Sequence, residues 1–131
     1  MLRKLHFRRT WFAFGIVLLT LIVTGSLVPI PNTDLAANDK LVHVSMYFLL
    51  MVWFALVVEA RFHLRIAIFF AFLGLSLEFA QHATGYRSFE WGDVLANFTG
   101  IVAGWILGHT IFSSTLFLLD RWLARFAHRD S

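Results

Sequence analysis

Residues 78–104 read EFAQHATGYRSFEWGDVLANFTGIVAG: two apolar segments joined by a short charged loop. Glu78, Gln81 and His82 close the first segment, and Arg87, Glu90 and Asp93 occupy the loop. Asn97, Gly100 and Gly104 are carried into the second segment. A polar group buried in lipid costs several kcal/mol unless it finds a partner. So many polar groups at one junction are expected to meet one another or a ligand. The stretch predicts two membrane helices with a functional centre at the boundary where they meet.

The rest of the chain agrees with a membrane setting. Of 131 residues, 59% are hydrophobic and the mean hydropathy is +0.72, whereas a soluble domain is about half apolar. The length fits a single domain, 1–131. Without cysteine there is no disulfide framework and no thiolate chemistry. The expected fold is an all-α membrane protein, a four-transmembrane-helix bundle with spans at about 10–28, 41–58, 66–82 and 94–119. The first run follows Arg3, Lys4, Arg8 and Arg9. It is too long for a signal peptide and is read as an uncleaved helix. Residues 29–34 contain Pro29 and Pro31 and predict a turn. Asn38 or Asp39 can cap the helix that follows.

Orientation follows the lysines and arginines of short loops. With four spans, nine of the 11 basic residues fall on the side of the two termini, and only Lys40 and Arg87 fall on the other. Both termini are therefore expected in the cytoplasm, with the 78–97 region facing outward. Arg121, Arg125 and Arg129, with Trp122 and Phe126 nearby, predict a tail lying on the inner membrane surface. Topology accounts for these basic residues without nucleic acid.

Helical periodicity gathers the polar residues. Asp39, His43 and Tyr47 fall within roughly 80° of one helix face. Gly74, Glu78, Gln81 and His82 span roughly 100°, and Asp93, Asn97, Gly100, Gly104 and Gly108 roughly 80°. The expected ligand-binding set is Asp39, Lys40, His43, Glu78, Gln81, Arg87, Asp93 and Asn97. Arg87 can fork onto a phosphate or brace the loop against Asp93. Asn97 can serve the site or join helices. Gly100, Gly104 and Gly108 form a small-residue ridge for helix packing, within the chain or between copies. His82, His63, His109 and His128 are read as interfacial, Glu90 as loop surface, and Tyr47, Trp53, Trp91 and Trp105 as packing or interfacial belt. His43, Glu78, His82 and Asp93 are ligand-type residues, but without HExxH or a cysteine pair no metal and no cofactor is expected. Ser45, Ser76 and Ser88 lie in no nucleophile elbow.

Four segments together resemble the VanZ-like family of small bacterial membrane proteins: Asp39-Lys40-x-x-His43-x-x-x-Tyr47, Glu78-x-x-Gln81, Arg87 with Asp93, and Asn97-x-x-Gly100-x-x-x-Gly104. The resemblance covers about residues 29–108. It implies a multi-pass protein of the bacterial plasma membrane, in a family linked to teicoplanin resistance and without a settled activity. The expectation is a non-catalytic membrane protein with an outward polar pocket. The pocket would bind membrane lipid, a cell-wall precursor or a glycopeptide, with Arg87 and Lys40 on anionic groups. The alternatives are an intramembrane enzyme using His43 with Glu78 or Asp93 as acid and base, and a small transporter assembled as a homo-oligomer.

Overall fold

The computed structural model describes residues 1–28, 39–85 and 87–127. Five helices follow in order: α1 Arg8–Ser26, α2 Asp39–Val57, α3 His63–Ala83, α4 Trp91–His109 and α5 Thr115–Ala127. A 3-10 turn, Ala60–Phe62, leads into α3. Among the described residues there is no strand; Leu2 and Val58 form one isolated antiparallel bridge. The expected turn at 29–34, the Asn38 cap and His128 lie outside the described residues.

Three stretches, Arg8–Ser26, Asp39–Val57 and Ala60–Ala83, are long and apolar enough to cross a membrane. Large apolar side chains such as Phe69, Phe72, Phe79, Leu95, Phe98 and Ile106 point outward, as lipid-facing residues do. Inside lie Leu50, Met51, Phe54, Phe70 and Ile101. Phe54 and Phe70 meet edge to face at 5.4 Å, which joins α2 to α3.

The helices run alternately up and down. Gln81 Nε2 donates to the Ser26 carbonyl at 2.6 Å, bringing the end of α3 to the end of α1. Arg3 N–H donates to the Val57 carbonyl at 2.9 Å, bringing the start of the chain to the end of α2. One end of the bundle therefore holds the starts of α2 and α4, and the other holds the loops around 58–63 and 110–114.

The helix expected to run through 94–119 ends at His109. Thr110 Oγ1 bonds back to Ile106 O at 2.8 Å, and Ser113 Oγ bonds back to Thr110 O at 3.1 Å. These hydroxyls compete with helical backbone pairing. The Ser113 carbonyl is taken by Arg3 Nη1 at 2.9 Å. Chain direction then changes into α5.

Helix α5 is held by Asp120, whose role the sequence reading missed. Asp120 is fully buried. Its Oδ1 accepts Phe7 N–H at 3.0 Å and Trp11 Nε1–H at 2.9 Å; its Oδ2 accepts His6 N–H at 2.7 Å and faces His6 Nδ1 at 3.0 Å. Phe7 is the N-cap of α1, so a carboxylate from α5 sits where the α1 dipole favours negative charge. Burial alone would raise this carboxyl. The donors from Phe7, Trp11 and His6 outweigh it and hold the group below its ordinary value of 3.8.

The closest packing is between α2 and α4. A Cβ on Gly100 would collide with the Val44 carbonyl oxygen. One on Gly104 would lie 2.6 Å from Phe48 O, and one on Gly108 would lie 2.8 Å from the Ala55 Cβ. The glycine ridge is thus used within the chain.

Gly100→Ala must push α2 from α4 and is expected to lower stability by about 1–3 kcal/mol. Gly25→Ala, with nothing within 4 Å of the new Cβ, should raise stability by about 0.5–1 kcal/mol. Thermal unfolding in detergent compares the two. Asp120→Asn is expected to cost about 1.5–3 kcal/mol at neutral pH, the range for hydrogen bonds to a charged group. Because the folded pKa is depressed, the stabilisation is present above pH 3.8 and is lost as pH falls through the lower folded value. Wild type should lose its advantage over Asp120→Asn on that acid limb, as followed by circular dichroism.

Candidate functional site: a polar nest at the α2–α4 end

The nest is built from three helices and one loop. Helix α3 stops at Ala83, where Thr84 and Gly85 close its last turn onto Gln81 and His82. Gly85 has φ +79°, a left-handed conformation that glycine adopts without strain. The chain then returns through Arg87 to α4, whose first turn carries Asp93. The Glu78 side chain reaches from α3 to this entry: its Oε1 accepts Glu90 N–H at 2.9 Å, ahead of the first helical residue.

Arg87 is the hub. Its Nη2 donates to Asp39 Oδ2, to Asp93 Oδ2 at 3.1 Å and toward His43 Nε2 at 3.3 Å. His43 Nδ1 lies 2.9 Å from Asn97 Oδ1. With Nδ1–H donating to Asn97 Oδ1, Nε2 is left as the acceptor facing Arg87. Asp39 Oδ1 lies 3.6 Å from the same Nε2. Lys40 Nζ reaches Glu90 at 2.8 Å and Asp93 at 3.4 Å. Asp93 is fully buried, and it takes both cations because a buried carboxylate needs compensation.

Asp39, His43 and Asp93 present ligand atoms within 4.8 Å of one another. The guanidinium of Arg87 bonds to all three, so it supplies positive charge where a metal ion would sit. Asp39, Glu78, Glu90 and Asp93 outnumber Lys40 and Arg87 around the nest.

Beneath the hub lies a cavity of about 40 Å³, lined by polar groups of Ser26, Asp39, His43, Tyr47, Gln81, Arg87 and Asn97 among apolar neighbours. Its volume suits about two or three waters. The Tyr47 hydroxyl, Gln81 Oε1 and Glu78 Oε2 are buried, with no hydrogen-bond partner among the described residues. A Cβ on Gly74 would lie 3.0 Å from both the Tyr47 hydroxyl and Asn97 Nδ2, so this glycine lets the two polar tips approach α3.

Asp39, Lys40, His43, Arg87, Asp93 and Asn97 thus join in one network. Gln81 lines the cavity while tying α3 to α1. Glu78 organises the loop from beneath. Tyr47 packs in the core as expected, and its hydroxyl also faces the cavity; Glu90 lies on the loop surface as expected and is paired there with Lys40. The Tyr47 hydroxyl was findable from its position four residues after His43 on the same face, and Glu90 from its place in the charged loop with Arg87 and Asp93.

An all-helical membrane protein with a buried, charge-linked polar nest between α2, α3 and α4 is the class these observations define. The chain belongs to the VanZ/LLP1 family, which matches residues 4–113. It is also similar to an uncharacterized protein of Schizosaccharomyces pombe, 32% identical over 100 residues. That match covers 73% of this chain and 62% of the relative, so the chain spans less than two thirds of the relative's length. No solved structure matches the chain.

The hub and cavity separate two effects. Arg87→Ala leaves Asp39 and Asp93 without their shared partner and is expected to cost about 2–4 kcal/mol; the value lies low in the buried-pair range because Arg87 is 22% exposed. Tyr47→Phe removes an unpartnered hydroxyl and should change stability by less than about 0.5 kcal/mol. Denaturant unfolding in detergent measures both.

Proposed function

We propose that this protein is a multi-pass membrane protein that binds a polar lipid headgroup at the nest without converting it. The observation that carries the reading is the convergence of polar side chains from three helices and a loop onto Arg87, opening at a rim where Lys40 and Glu90 are 59% and 52% exposed. The rim carries both signs of charge. Among the described residues, Arg87 makes its hydrogen bonds through Nη2 alone, which leaves its Nε and Nη1 edge for a phosphate. Asp39 and Glu90 suit an ammonium or hydroxyl group of the same headgroup. A site of mixed sign fits a phosphate joined to an amine, sugar or peptide better than a bare anion. The cavity below is water-sized, so the headgroup sits at the rim.

Several features support the wider setting. Trp91–His109 has 19 residues, about 28 Å at 1.5 Å per residue, which suits a fourth span. The uneven arginine and lysine distribution favours cytoplasmic termini and an outward nest. The VanZ-like resemblance favours a bacterial plasma membrane and a contribution to teicoplanin-type resistance through a bound wall precursor or the glycopeptide itself.

The enzyme reading has less support, because the contacts of His43 to Asn97 and Arg87 are accounted for by the network itself. The transporter reading leaned on the glycine ridge for assembly, and that ridge is occupied by α2.

Native mass spectrometry of protein released from nanodiscs tests the proposal. Phosphatidylethanolamine, phosphatidylglycerol and a lipid-linked wall precursor are the probes. Arg87→Lys keeps the charge and loses the fork, so retention of the preferred lipid is expected to fall about tenfold. Equal retention by the folded variant would remove the headgroup role.

A further inference from the structure

The opposite end of the bundle holds a second polar cavity, of about 140 Å³, whose polar lining comes from Arg3, His63, His109 and Ser113. Arg3 is fixed there by main chain: Nη1 donates to Leu56 O at 3.2 Å and to Ser113 O at 2.9 Å. Both partners are neutral carbonyls. Among the described residues Arg3 has no carboxylate partner, and no acidic residue lines the cavity. Arg87 has its charge met by Asp39 and Asp93; the charge of Arg3 is left unbalanced.

His63 supplies an independent observation. It is 2% exposed, and its Nε2–H donates to Val58 O at 3.0 Å. That bond sets the tautomer and makes Nδ1 the acceptor. This Nδ1 is buried without a partner among the described residues. The ring of His109 stands edge-on to it, with centroids 6.0 Å apart. A buried acceptor left unpaired is expensive, and an oriented imidazole lining the same cavity as a fixed guanidinium marks a site. Two imidazoles could also suggest a metal, but the fixed arginine repels a cation.

We propose that this cavity binds a phosphate group. The Nε and Nη2 edge of Arg3 donates to its oxygens, an N–H of His109 adds a donor, and His63 Nδ1 accepts the proton of a singly protonated phosphate. The volume exceeds that of the cavity under Arg87 and admits a group of this size. The phosphate can be free or the headgroup of a lipid in the adjoining leaflet. Charge-assisted bonds from arginine dominate the affinity. This site is independent of the Arg87 nest.

The experiment uses the whole chain, labelled with ¹⁵N-histidine, in phosphatidylcholine nanodiscs. Inorganic phosphate is titrated against chloride at equal ionic strength, and a parallel sample replaces part of the lipid with phosphatidic acid. The expected result is a saturable shift of the His63 and His109 ring nitrogens that is kept in Arg87→Lys, which separates it from any response of His43 at the nest. A shift with inorganic phosphate identifies free phosphate as a ligand; a shift only with phosphatidic acid identifies a lipid. Arg3→Gln should weaken binding at least about tenfold. His109→Gln, at an exposed position, should weaken it severalfold with helix content unchanged, and it carries the test if Arg3→Gln fails to fold. Histidine signals that ignore both phosphate sources, or that move equally with chloride, overturn the proposal, as does unaltered binding in the folded variants.

Discussion

The arrangement at one end of this molecule depends on the guanidinium of Arg87 lying between Asp39 and Asp93. Asp93 is fully buried in the first turn of α4, where the helix dipole helps a negative charge but cannot by itself replace lost water. Arg87 and Lys40 make up the difference. In doing so they tie the start of α2, the connecting loop and the start of α4 into one unit. His43 lies between Asn97 and Arg87, and Glu78 holds the loop to α3 from below.

That network can form only because α2 and α4 approach so closely. Gly100, Gly104 and Gly108 put the α4 backbone against Val44, Phe48, Val52 and Ala55. Without a strong hydrophobic drive between helices in lipid, close packing and polar contacts are the forces that remain. The glycine ridge supplies the first along the helix length, and the nest supplies the second at the N-terminal end of α4.

The other end uses the same chemistry differently. Asp120 collects donors from His6, Phe7 and Trp11, and so joins α5 to the start of α1. Arg3 collects carbonyls from Leu56 and Ser113, and so joins the chain start to the ends of α2 and α4. Asp120 is a saturated carboxylate with a structural task. Arg3 keeps an unbalanced charge beside an unpartnered histidine nitrogen. That contrast separates a clamp from a candidate site.

Much of the nest was legible in the sequence. Composition and apolar run lengths determined a helical membrane protein, and 3.6-residue periodicity placed Asp39 with His43 and Asp93 with Asn97 on shared faces. The rarity of charge within apolar segments marked Glu78, and the short charged loop marked Arg87 and Asp93 for attention. These are local properties, readable wherever helix geometry is regular. Only the tertiary structure decided that Arg87 braces Asp39 as well as Asp93, that Glu78 serves the loop backbone, that the glycine ridge meets α2 of the same chain, and that α4 ends at His109. It alone joined Asp120 to His6 and Arg3 to Ser113. Those pairs lie more than 100 residues apart, and no periodicity within a helix relates residues that meet only when separate helices pack.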